Sequence, residues 1–158
     1  GKMKKYEFKK ITLDEYKLVI ENKEYPFKRT IEMGEKVQGI TASARIKMLK
    51  ELTKMGLTKN DLIIKKDLGN GKTVYDETNY QEFEKKFIEE ETLQVANDLM
   101  ESCFKMTTTK LFEELGINVN SEINEDEANG IMMFTQKFIT IISKEEKDTP
   151  SDGSPEQL

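Results

Sequence analysis

The sequence predicts a mainly helical α+β fold in which a small N-terminal β meander packs on a helical domain. Two patterns support this class. Apolar and polar residues alternate in the first 31 positions, whereas apolar residues recur at helical spacing after residue 78. With 158 residues, of which 36% are hydrophobic and 35% charged, the chain suits a single domain, predicted over residues 3–143. Residues 144–158 contain one large apolar side chain, which predicts a disordered tail.

The β segment is predicted over residues 3–31. It contains three runs of strand-forming residues separated by turn-forming ones, and Asn22 to Glu24 predict the second turn. Pro26 has no backbone N–H to donate, so its strand is expected at a sheet edge. The apolar positions expected to alternate with polar ones are Tyr6, Phe8, Ile11, Tyr25, Phe27 and Ile31.

Residues 32–62 predict helices and residues 63–75 a β-hairpin. Thr41 is a candidate N-cap for a helix that ends before Gly56, and Thr58 is a candidate cap for a short turn of helix. The sequence Gly69-Asn70-Gly71 predicts the hairpin turn, because these residues tolerate positive φ angles. The apolar residues expected on one side of the capped helix are Ala44, Met48, Leu49, Leu52 and Met55.

Residues 78–143 predict three further helices. Thr78 is expected to cap a long helix reaching about Met106, and Gly116 is expected to stop a short one. Ser121 and Asn124 are alternative starting points for the last helix, which ends near Ser143. The residues expected to point inward from this last helix are Ile131, Phe134, Phe138, Ile139 and Ile142.

The composition argues against an enzyme. The chain has no His, which removes the commonest general base and metal ligand, and its single Cys103 excludes an internal disulfide or a multi-Cys zinc site. The acidic run Glu89-Glu90-Glu91 spreads around a helix, because neighbouring helical positions point about 100° apart. We therefore predict no catalytic residue, no metal site and no cofactor. Without a long apolar run, a membrane partner is not expected.

Charge is divided unevenly along the chain, which has a net charge of −5. Residues 1–72 carry 18 basic and 10 acidic side chains (+8), and residues 73–158 carry 7 basic and 20 acidic ones (−13). This division suggests two faces with different partners, or a molecule that associates head to tail with its own kind. It is equally explained if the two halves attract each other across the fold.

The basic stretch 41–72 suggests an alternative function. It holds eight basic and three acidic residues, in the order helix, turn, short helix and hairpin, which resembles part of a winged-helix DNA reader. The same lysines are also explained as the solvated side of an amphipathic helix. The candidate DNA-binding residues are Arg45, Lys47, Lys50, Lys54, Lys65 and Lys66.

The whole layout resembles the tail assembly chaperones of long-tailed phages of Gram-positive hosts. The resemblance covers roughly residues 3–158. It is carried by the Tyr/Phe-rich segment Tyr16-Lys17-Leu18-Val19-Ile20-Glu21-Asn22-Lys23-Glu24-Tyr25-Pro26-Phe27-Lys28, the helices after it and the acidic tail with Pro and Ser. It implies a non-enzymatic factor, in the bacterial host cytoplasm, that coats the tape-measure protein and recruits tail-tube subunits. No catalytic residue is implied.

A chaperone for a long helical client needs apolar surfaces shielded by charge, and helices that display Met and Phe supply them. The strand containing Tyr25 and Phe27 is an edge available for pairing, and the charge division favours self-association. The candidate protein-binding residues are therefore Tyr25, Phe27, Met132, Met133 and Phe134. The expected partner is a protein client, and nucleic acid is not expected.

Overall fold

The predicted fold class is confirmed by a computed structural model that describes residues 2–144. It contains three N-terminal strands, β1 (Tyr6–Lys10), β2 (Glu15–Ile20) and β3 (Lys23–Lys28), and a later hairpin, β4 (Ile64–Gly69) and β5 (Lys72–Asp76). Its helices are α1 (Ile31–Gln38), α2 (Ile40–Lys54), a one-turn 3-10 helix (Lys59–Leu62), α3 (Thr78–Phe104), α4 (Thr108–Glu114) and α5 (Glu125–Ser143). The predicted tail lies outside the described residues, except for Lys144, which ends α5 with a φ of 57°.

The described residues divide into two compact units. Unit 1 contains residues up to 38 and from 95 onward, and unit 2 contains residues 39–94. The long helix α3 contributes residues to both. The interpretation of residues 3–143 as one domain did not anticipate this division.

Unit 1 is built on the β meander. Its antiparallel sheet has the order β1-β2-β3, so β2 is central and Pro26 lies in an edge strand, as predicted. The central strand buries Tyr16, Leu18 and Ile20 on one face, as period-two alternation requires. The core is completed by side chains of α1, α3, α4 and α5, among which Phe134, Phe138, Leu111 and Ile142 are almost fully buried, and by Leu115, which directly follows α4.

Two predicted β positions are wrong. Ile31 begins α1 instead of ending a strand, and 76% of it is exposed; Ile11 follows β1 and is 54% exposed. The reason for the early helix is a cap, since the Thr30 hydroxyl accepts a hydrogen bond from the Met33 N–H at 3.2 Å. The second turn lies at Glu21 and Asn22, with Glu21 at a φ of 53°.

Unit 2 contains α2, the 3-10 helix, the hairpin and the start of α3. Thr58 is confirmed as the N-cap residue of the 3-10 helix, and its N–H and its hydroxyl both donate hydrogen bonds to the Asp61 carboxylate, at 2.7 and 3.1 Å. The hairpin is confirmed as well, with Asn70 and Gly71 at positive φ in the turn. The predicted cap Thr41 is wrong: Gly39 holds the N-cap position and α2 begins at Ile40.

Local signals also fix the later helices. Thr78 is the first helical residue of α3 and not, as predicted, its cap. Its N–H donates a hydrogen bond to the Asp76 carboxylate at 3.0 Å, so the side chain that caps the start of α3 is that of Asp76. Asn124 caps α5 in a capping box with Glu127, which decides between the two predicted starts. Gly116 follows α4 at a φ of 88°, as expected for a helix stop.

Candidate protein-binding surfaces

Phe27 lies in the core of unit 1. Its ring stacks on Tyr16 with centroids 5.7 Å apart and meets the Phe104 ring edge-on at 5.1 Å, and only 7% of the residue is exposed. The prediction that Phe27 offers a surface to a client is therefore corrected. The alternation of β3 turns this side chain toward the helices, and burying an aromatic ring there favours folding.

Tyr25 is held by a polar cluster. Its hydroxyl donates a hydrogen bond to Glu114 Oε1 at 2.6 Å, and the Lys23 ammonium lies 3.0 Å from the same oxygen. These two donors lower the pKa of the Glu114 carboxyl to about 2. Burial, followed by the bond to Glu114, raises the pKa of Tyr25 to about 12. Tyr25 thus ties the sheet edge to the end of α4.

Phe134 is also a core residue, so its predicted role at a client surface is corrected. It is fully buried, and its ring lies 5.1 Å from the rings of both Tyr6 and Phe8 and 5.8 Å from that of Phe112. Its helical neighbours differ. Met132 is 66% exposed and Met133 59% exposed, so these two predicted residues lie at the surface.

A cleft of about 390 Å³ runs between β1 and α5 in unit 1. Met132 and Met133 stand one helical turn before Gln136 and Lys137, which line it. The Lys137 ammonium lies 5.2 Å from the centre of the Tyr6 ring, a cation–π geometry. The lining residues are Tyr6, Glu7, Phe8, Gln136, Lys137, Thr140 and Ile141. A lining that combines two aromatic rings with several polar side chains suits an apolar side chain presented by a polar backbone.

A second cleft of about 480 Å³ in unit 1 opens beside Cys103. Cys103 is 7% exposed, and its thiol donates a hydrogen bond to the Met33 Sδ at 3.8 Å. Burial raises the pKa of Cys103 to about 11, so the thiol is protonated at neutral pH and is a weak nucleophile. The exposed rim includes Ile11 and Lys28.

The basic residues of unit 2 fall into two groups. Arg45 lies 2.9 Å from a Glu84 oxygen and Lys47 lies 2.5 Å from a Glu91 oxygen, so α3 neutralises both cations. Lys66 pairs with Asp76 across the hairpin at 3.3 Å. By contrast, Lys50, Lys54 and Lys65 are exposed, and no ion pair is found for them within residues 2–144. The six candidate DNA-binding residues therefore do not form one continuous set of free cations.

The winged-helix interpretation also depends on a recognition helix. The second helix of the basic stretch is a 3-10 helix of four residues, Lys59–Leu62, and the Lys59 ammonium lies over the Tyr80 ring at 4.6 Å. Winged-helix and other helix-turn-helix readers place several residues of their second helix on base edges. A single turn offers little surface for that purpose.

Among residues 2–144, no group of three or more His, Cys, Asp or Glu is arranged to hold a metal ion. In the same part of the chain, every helix is too short or too polar to cross a membrane. Comparison with known proteins gave no matching protein family, no significant match among curated proteins and none among solved structures.

Sequence reasoning missed the cleft between β1 and α5. The alternation of Tyr6 and Phe8 predicts strand β1, and helical spacing predicts α5. No local sequence pattern, however, indicates that β1 and α5 lie side by side. One sequence feature did point to this surface. Met132 and Met133 are adjacent on a helix whose inward face is already formed by other apolar residues, so at least one of them had to be exposed.

Proposed function

We propose that this chain is a non-enzymatic protein-binding assembly factor, and specifically a phage tail assembly chaperone that binds a tape-measure protein and recruits tail-tube subunits. The proposal places it in the cytoplasm of a bacterial host. The observation that carries it is the cleft between β1 and α5, together with the exposed methionines one turn before it.

The chemistry of this surface favours a helical client. Methionine side chains are flexible and polarisable, so they adapt to client residues of different shape. A cleft of about 390 Å³ takes apolar side chains presented at intervals by a helix. Glu7, Gln136 and Thr140 also line the cleft, and their side-chain oxygens accept hydrogen bonds from the client.

The strand edge that was expected to bind the client differs from this cleft. Tyr25 in β3 is engaged by Glu114, and Phe27 is buried. The opposite edge strand, β1, contributes the cleft. The proposed contact therefore uses Tyr6 and Phe8 at the sheet in place of Tyr25 and Phe27.

The alternative is a small DNA-binding regulator that uses residues 41–72. Its support is the group of exposed cations Lys50, Lys54 and Lys65. The two functions differ in their salt dependence. DNA affinity carried by several lysines falls by orders of magnitude between about 50 and 200 mM salt, whereas an apolar client contact changes little.

Affinity purification from the native host, with nuclease treatment and mass spectrometry, tests the proposal. We expect to recover a very long helical protein or tail-tube subunits, retained at high salt. Recovery of nuclease-sensitive DNA that is released by salt, without such proteins, would refute the chaperone proposal and favour the regulator.

A further inference from the structure

The helix α2 has two apolar faces. Ala44, Met48 and Leu52 are buried on its inward face. Ile46 lies on the opposite side and Leu49, one turn further along, lies just beyond the edge of the buried face; they are 56% and 52% exposed. Leu49 and Met55 were both predicted to share the inward face, and their exposure, 52% for each, corrects that prediction. This outward face therefore presents a short apolar stripe that the described residues leave uncovered.

The outward face of α2 is also basic. Lys50 and Lys54 are exposed, and no ion pair is found for them in the described part of the chain. Glu51 is the one acidic residue of α2 and lies on the side of Met48, three positions away. We name the set Ile46, Leu49, Lys50 and Lys54 the basic stripe.

The first half of α3 shows the opposite charge on its own outward face. Glu84 and Glu91, seven residues apart, face α2 and bind Arg45 and Lys47. Helical geometry places Glu82, Glu89, Glu90 and Leu93 on the other side, where they are exposed, with Lys86 among them. Leu93 is 52% exposed. We name the set Glu82, Glu89, Glu90 and Leu93 the acidic stripe.

We propose that the basic stripe of one copy of this chain binds the acidic stripe of a second copy. The basic stripe has Ile46 and Leu49 beside two lysines, and the acidic stripe has Leu93 beside three glutamates and the neighbouring Lys86. The two stripes are therefore complementary in predominant charge and in apolar contact. Because the stripes are different surfaces of the same unit, the contact is head to tail. Such contacts repeat from copy to copy and generate a ring or a filament. This association is independent of the proposed client.

A charge-swap experiment with the purified protein tests the proposal. Variant A carries K50E and K54E, and variant B carries E89K and E90K. We expect wild-type protein to associate in low salt and less in high salt by analytical ultracentrifugation. Each variant alone is expected to associate about tenfold more weakly, because two attractions become repulsions. A mixture of A and B regains association, since the acidic α2 of A meets the basic α3 of B.

Matched controls keep the test specific. K65E with K72E makes the same charge change on the exposed hairpin and is expected to leave association at the wild-type level. Circular dichroism verifies that each variant is folded, and L93S tests the apolar contact if a charge variant fails to fold. The proposal is overturned if wild-type protein remains monomeric, if variant A alone and variant B alone each associate as strongly as wild type, or if the mixture of A and B stays monomeric.

Discussion

Replacing Phe134 with alanine tests whether this residue belongs to the core. The ring is fully buried against three aromatic neighbours, at 5.1 Å from Tyr6 and Phe8 and 5.8 Å from Phe112. Truncating a buried phenylalanine to alanine costs about 3–5 kcal/mol, because apolar burial is lost and a cavity remains. This is a large share of the roughly 5–15 kcal/mol by which proteins of this size are stable.

Urea denaturation followed by far-UV circular dichroism measures the loss. We expect F134A to lower the free energy of unfolding by about 3–5 kcal/mol, whereas M133A, at an exposed neighbouring position, changes it by at most about 0.5 kcal/mol. The reasoning is refuted if F134A costs less than about 1 kcal/mol or if the two substitutions cost the same.

Three further predictions concern the close approach at Gly34, the polar cluster of Glu114 and the buried thiol of Cys103. A Cβ at Gly34 would lie 2.5 Å from an Arg29 nitrogen, and this guanidinium is held in place because its Nε donates a hydrogen bond to the Ile142 carbonyl oxygen at 2.7 Å. G34A is therefore expected to destabilise the protein by about 1–3 kcal/mol in thermal unfolding, and the penalty should vanish in an R29A background. The pKa of Glu114 is lowered to about 2 in the folded state, so its ionised carboxylate stabilises the fold above about pH 4.5, and this stabilisation is lost as the pH falls toward 2. E114Q should therefore flatten the dependence of the free energy of unfolding on pH in that window. An unchanged pH dependence would contradict the hydrogen-bonded cluster of Glu114, Tyr25 and Lys23. Cys103, with a pKa raised to about 11, should react with a thiol reagent at neutral pH far more slowly in folded than in urea-unfolded protein, and equal rates would exclude its burial.

Local chemistry made several elements predictable. The hairpin turn at Asn70 and Gly71 and the helix stops at Gly56 and Gly116 all require positive φ, a need that the residue types themselves reveal. The cap at Thr58 is also predictable, because its partner Asp61 is only three positions further along the chain. The prediction that Thr41 caps α2 is wrong because only Gly39 separates α1 from α2. The helix α2 therefore begins at Ile40, and Thr41 is already inside it.

The candidate site was less predictable, because burial depends on which elements meet. Phe134 and Met133 are adjacent and both apolar, yet only Phe134 points at the sheet. Leu49 fits the helical spacing of the inward residues but lies beyond the edge of the buried face of α2. Likewise, the basic stretch gave no sign that Glu84 and Glu91 in α3 neutralise two of its cations. Such pairings join residues about 40 positions apart.

The most direct test of the proposed function compares what wild-type protein and a cleft variant retain from the native host. The variant M132E with M133E places two charges beside the cleft, and M55E, at a methionine of unit 2 that is 52% exposed, is the matched control. We predict that wild type and M55E retain the same long helical client after nuclease treatment and that M132E/M133E loses it. Equal retention by all three proteins would contradict a client site at the cleft between β1 and α5.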